Sequence, residues 1–168
     1  SADFRPQNTV FFFINNDLPW SDPEELEGVY RRALYRVDGR EPFVMRVGCH
    51  SKGLWRLYEA FDCRSAAFLT AANPGGVKVS DTVNFRAEAR LARQLDGLSL
   101  PVTPGVGLDA DETSDWPGER SFLVLGIERS NAVRLGLQHG QLAIIWCPET
   151  AIPELLMLQR ETTATQPP

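Results

Sequence analysis

Cysteine is scarce in this chain: Cys49, Cys63 and Cys147 are an odd number, with no C-x-x-C spacing. That argues against a disulfide framework and agrees with a reducing compartment. Histidine is scarcer still, with only His50 and His139. A closed zinc site normally takes about four Cys or His ligands, so no metal is expected, and no motif calls for a cofactor. Basic residues are outnumbered, 17 Lys and Arg against 22 Asp and Glu, for a net charge of −5. An acidic surface opposes phosphates, so a nucleic-acid partner is not expected; the row Arg86, Arg90 and Arg93 reads as a solvated helix face. No apolar run approaches the ~20 residues of a membrane helix. The longest, Val10 to Ile14, has a strand's length. Neither a membrane partner nor a basic-then-apolar leader is visible, and the cytoplasm is the expected location.

Familiar catalytic sets are missing too. Cys49 and His50 are adjacent and His139 falls at a helix end, so no Ser-His-Asp or Cys-His nucleophile set assembles. Gly75-Gly76 is not followed by G-K-[ST], so it is no Walker loop. Asp109, Asp111 and Glu112 lack the alternating ladder of a calcium loop, and the stretch Pro104 to Asp115 reads as a polar loop or lid.

What is present is the composition of a globular domain: 168 residues, 43% hydrophobic and 23% charged. The expected organisation is an extension over 1–20, one domain over 21–158 and a tail over 159–168. Thr9 to Ile14, with three consecutive Phe, reads as an arm that packs on its own domain. Its sharper reading is a dimerising or partner-binding strand, which would make the protein a non-catalytic interaction module.

Within the domain, Ser21 and Glu24 form a capping box for a first helix, with Pro23 in its first turn. Leu34–Val37 and Phe43–Val47 read as a hairpin across Asp38-Gly39. Ser51 caps a helix whose Leu54, Leu57, Tyr58 and Phe61 form one stripe. Ser65 to Ala72 is a two-sided apolar strand closed by Asn73-Pro74-Gly75-Gly76, because the residue before proline avoids the helical region. The helix from Ser80 to Gln94 turns Ala87, Glu88, Leu91 and Leu95 inward, and one turn earlier Asn84 joins that face. Leu98 to Thr103 and Ser121 to Ile127 read as strands. Ser130 caps a further helix ending at His139-Gly140, and Gln141 to Trp146 completes a strand–helix–strand unit of βαβ length. Ile152 to Leu158 is a final short element. The sum is an α/β or α+β fold with about six strands, about four helices and a mixed, partly antiparallel sheet.

Several of these pieces together resemble a known family: T-A-A-N-P at Thr70 to Pro74, then Asn84, W-P-G-E-R-S-F-L-V-L-G from Trp116 to Gly126, and G-Q-L-A at Gly140 to Ala143. The family is a bacterial one catalogued only as a domain of unknown function, number 3293 in its series. The likeness covers Val29 to Trp146, with Ala72 standing where that family usually shows an aromatic residue. The resemblance implies a small bacterial cytoplasmic domain and brings no reaction, substrate or cofactor with it.

The candidate site gathers at the turn after the Ser65–Ala72 strand. Thr70, Asn73, Ser80, Asn84, Ser121 and Gln141 are candidate substrate-binding residues, and Glu119 is the candidate general acid or base. The backbone N–H groups of Gly75 and Gly76 and the helix start at Ser80 would favour a small polar or anionic ligand. All of this requires the Ser121 strand to run antiparallel to the Ser65 strand, which brings Glu119 to the same sheet edge as Asn73. Parallel strands would part them.

Overall fold

A computed structural model describes residues 23–158. The arm at Thr9–Ile14, the Ser21 cap and the tail over 159–168 lie outside the described residues. Helix α1 spans Pro23–Arg32, with Glu24 and Glu25 in its first turn and Arg31 and Arg32 in its last, which matches both ends of the helix dipole. Strands β1 (Leu34–Val37) and β2 (Phe43–Met45) pair as the expected hairpin, with Tyr35 opposite Met45. Helix α2 (Lys52–Phe61) starts at Ser51, whose Oγ accepts the Leu54 N–H at 3.1 Å. Strand β3 (Ala66–Thr70) is followed by a short 3-10 turn, Pro74–Gly76, and by helix α3, Asp81–Asp96. Strands β4 (Val102–Leu108) and β5 (Glu119–Leu125), helix α4 (Arg129–Gln138) and strands β6 (Ala143–Cys147) and β7 (Glu154–Met157) complete the order.

The strands form one seven-stranded sheet in the order β2-β1-β4-β5-β3-β6-β7. Every neighbouring pair is antiparallel, so the sheet is antiparallel throughout rather than mixed, and it has one strand more than expected. β3 and β4 run the same way but are separated by β5; β5 and β6 run the same way but are separated by β3. The strand–helix–strand units are therefore interleaved, giving a split β-α-β-β-α-β core across β3 to β6.

Alternation along the strands divides the core between two faces. Ala66, Phe68, Leu123, Leu125, Ile145 and Cys147 pack with Tyr35 and Met45 beneath Leu54 and Tyr58 of α2. Ala67, Leu69, Val124 and Ile144 face Ala87, Leu91 and Leu95 of α3 and Ala132 and Leu135 of α4. Both faces are thus covered, and the sheet's central strands are apolar on both sides, as the small-residue run in β3 predicts.

Three expectations need correction. The loop expected over Pro104–Asp115 starts later: β4 runs on to Leu108 through Pro104, Gly105 and Gly107, and only residues 109–115 are loop. Pro104 lacks an N–H, yet its carbonyl is used, accepting from Asp38 N–H at 2.8 Å. Gly105 is required because a Cβ there would sit 2.4 Å from the Arg36 carbonyl oxygen and 2.7 Å from the Phe68 ring. Glu88 is not turned into the core; it pairs with Arg120 at 3.2 Å. Ser130 lies inside α4, whose N-cap is Glu128. The final short element expected over Ile152–Leu158 is present, as strand β7 at the sheet's edge.

Candidate functional site

β3 pairs antiparallel with β5, Thr70 opposite Ser121, and antiparallel with β6. The end of β3 therefore meets the starts of β5 and β6, and Glu119 and Gln141 arrive beside Asn73. β4 is antiparallel to β5 as well, with Gly107 opposite Glu119.

Asn73 is the pivot of this edge. It is buried and left-handed, with φ 48° and ψ 62°, a conformation asparagine adopts more readily than most residues. Its backbone N–H donates to Asn84 Oδ1 at 2.8 Å, and Asn84 Nδ2 donates back to Asn73 Oδ1 at 3.0 Å. Asn73 Oδ1 also accepts the Val79 N–H at 3.1 Å. That leaves the Asn73 amide nitrogen to donate to Glu119 Oε1 at 3.3 Å, and the Trp116 indole N–H reaches the same oxygen at 3.0 Å. The result is a continuous relay from α3 through the turn to the start of β5: Asn84, Asn73, Glu119, Trp116.

Other expected residues are fixed around it. Gln141 Nε2 donates to the carbonyls of Ala72 and His139, at 3.0 and 3.2 Å. Thr70 Oγ1 donates to the Arg120 carbonyl at 2.8 Å and accepts from Ala72 N–H at 3.0 Å. Ser121 Oγ donates to the Glu119 carbonyl at 2.9 Å. Ser80 stands apart: its Oγ accepts the Val83 N–H at 3.2 Å and caps α3.

Beside the relay lies a cavity of about 90 Å³. A water needs roughly 10–15 Å³ measured this way, so the space suits a molecule of roughly six to nine heavy atoms. Thr70, Asn73, Glu119, Ser121 and Gln141 line one part of it; Asn84 and Ser80 do not. Val29, Ala33, Phe68, Leu108, Ile145 and Leu155 supply apolar wall. Tyr30, Tyr35 and Trp116 line it too, and none of these three stood out as functional in the sequence. Tyr30 and Tyr35 read there as apolar positions, and no local signal separates them from core aromatics. Trp116 had one usable signal, the W-P-G-E turn that folds the indole back onto a carboxylate three residues on.

Burial holds the Glu119 carboxyl above its usual range, and the bonds from Asn73 and Trp116 pull it part of the way back. Burial pushes the Tyr30 and Tyr35 phenols well above their ordinary range, with the Glu119 charge adding to both. No Lys, Arg or His lines the cavity among the described residues. The turn's N–H groups, expected to favour an anion, are spent: Gly75 donates to the Gly140 carbonyl at 2.7 Å and Gly76 to that of Asn73 at 2.9 Å. Neither of these glycine N–H groups is left to cradle a negative group.

Residues 69–144 match the model of a family described as a protein of unknown function (DUF3293). No curated protein and no solved structure matches the chain. The matched stretch runs nearly the length of the β3-to-β6 core and contains every polar residue of the relay. No helix among the described residues is long and apolar enough to cross a membrane.

Proposed function

Residues 69–144 match a family whose description names no activity, and we propose the function from the cavity: the protein binds a small molecule whose polar head meets Glu119. The ligand's body lies against the apolar wall, and Gln141, Thr70 and Ser121 border its head. Asn84 is a positioning residue acting through Asn73. If the bound molecule is turned over, Glu119 is the proton donor or acceptor, since a half-buried carboxyl with a raised pKa is suited to that exchange.

One observation carries this reading. Glu119 Oε1 is held by two N–H donors, while Oε2 has no hydrogen-bond partner among the described residues. An oriented, half-buried carboxylate with an open oxygen, beside a cavity whose wall is largely apolar, is costly to keep unless a donor meets it.

The test is a fragment screen on the full chain by two-dimensional NMR, with molecules of roughly six to nine heavy atoms. Saturable movement of the Trp116 indole N–H, weakened by Glu119→Gln and by Asn84→Ala, is the expected result. A broad and chemically varied set that leaves that resonance still would end the reading.

A further inference from the structure

Building on the cavity reading above, we infer that the ligand is a small organic amine, bound as its ammonium with a compact apolar or aromatic body. The inference rests on which hydrogen-bonding groups the cavity's polar end has left over.

Most of the donors there are spent, one proton of the Asn73 amide being left over. Asn73 Nδ2 and Trp116 Nε1 serve Glu119. The Gln141 amide nitrogen serves two carbonyls. The Thr70 and Ser121 hydroxyl protons serve the Arg120 and Glu119 carbonyls. What stays open is mostly acceptor: Glu119 Oε2, Gln141 Oε1 and the lone pairs of Ser121 Oγ. The Tyr30 hydroxyl, also without a partner among the described residues, can take either role. A ligand must therefore donate, and an ammonium brings three donors and no acceptor.

Charge selects the same class. Every ionisable side chain lining the cavity is acidic when it ionises: Glu119, Asp109, Tyr30 and Tyr35. A carboxylate or phosphate would meet Glu119 with no cation to offset it, and the turn's N–H groups are engaged. Zwitterionic amino acids fail for the same reason. The rings of Tyr30, Tyr35, Phe68 and Trp116 line the cavity, and aromatic surface tolerates a cation far better than aliphatic surface does. The fold has already oriented and partly desolvated the carboxylate, so an entering ammonium meets a partner whose ordering cost was met on folding.

The experiment titrates benzylamine, benzyl alcohol and benzoate into the labelled full chain near neutral pH, reading the Trp116 indole N–H. These probes share a ring and differ in the head. The expected result is benzylamine binding about tenfold or more tighter than benzyl alcohol, the usual worth of one charge-assisted bond, with benzoate silent. Glu119→Gln should erase that preference, lowering benzylamine affinity far more than that of benzyl alcohol; Glu119→Asp, which keeps a carboxylate, should retain part of it. Preserved peak dispersion in both variants separates lost binding from lost fold. Benzyl alcohol or benzoate matching benzylamine at the same resonance would overturn the amine inference and leave the cavity reading standing. Silence from all three, with silence across the wider fragment set, would overturn both.

Discussion

Replacing Asn84 by alanine separates the tertiary role of this side chain from its local one, because the two have opposite signs. Locally, Asn84 is a poor helix residue inside α3, and alanine should improve the helix by about 0.5 kcal/mol. In the folded protein, Asn84 Oδ1 is the acceptor of the buried Asn73 N–H, at 2.8 Å, and its Nδ2 donates to Asn73 Oδ1 at 3.0 Å. Removing it orphans a buried backbone donor, which costs about 1–3 kcal/mol. Asn84 itself is only half-buried, so water can replace part of what is lost, and the middle of that range is the better figure. About 2 kcal/mol lost against about 0.5 regained leaves a net destabilisation of about 1.5 kcal/mol. For a chain of this size that lowers Tm by roughly 3–6 °C. Urea unfolding with an unchanged m-value, alongside a thermal melt, measures it. Asn84→Asp provides the internal comparison, keeping the acceptor for Asn73 N–H while losing the donor. An Asn84→Ala protein as stable as the parent, or more so, would show that helix propensity outweighs the paired amides and that the relay has no tertiary worth.

Gly105→Ala should cost about 3 kcal/mol or more, since its Cβ would meet a backbone oxygen that cannot swing aside; chemical denaturation reads this, and a variant of parental stability would show that β1 and β4 can part cheaply. Glu119→Gln should gain stability relative to the parent as pH rises. The native carboxyl is raised by burial beside Tyr30, Tyr35 and Asp109, so its stabilising protonated form is complete below the unfolded Glu value, about 4.3, and is lost as pH climbs through the native value. Melts across that interval should diverge above it and converge below it, by about 1.4 kcal/mol for each unit of elevation. Among the cysteines, exposed Cys49 should react first with a thiol reagent, half-buried Cys63 later because burial raises its thiol, and buried Cys147 only on unfolding; mass mapping of a timed reaction decides the order.

Elements whose cause is local were legible in the sequence. The stripe holding Leu54 and Tyr58, the Ser51 cap and the Ala87, Leu91, Leu95 face all follow from residues within a turn or two of one another. Asn73 and Asn84 were legible as neighbours for the same reason, since a tight turn and one helical turn separate them. β4 was not. Pro104, Gly105 and Gly107 punctuate it as a loop would, and the need for Gly105 comes from Arg36 and Phe68, which are remote in the chain. The approach of Glu119 to Asn73 was legible only as a condition on strand direction. That direction is set by which faces bury together across β3, β5 and β6, and no local pattern encodes it. Ser80 carries two readings in the sequence, because a helix cap and a ligand contact call for the same residue type, and the structure shows the cap.

The acidity of the site depends on parts of the chain that its polar residues do not include. Asn73, Asn84, Trp116, Glu119, Ser121 and Gln141 all fall within residues 69–144, the stretch shared with the family. Burial is nevertheless the first cause of the raised Glu119 carboxyl, and much of the covering surface comes from outside that stretch. Val29, Tyr30 and Ala33 arrive from α1 and its end, Tyr35 from β1 and Leu155 from β7. β1 reaches the site by pairing with β4, Leu34 opposite Leu108. β7 reaches it by pairing with β6, Ala143 opposite Met157. The core from β3 to β6 therefore orients the carboxylate, and the flanking strands and α1 desolvate it. Orientation without the flanks would leave an ordinary solvated glutamate on a sheet edge. Covering it is what raises the carboxyl above its usual range.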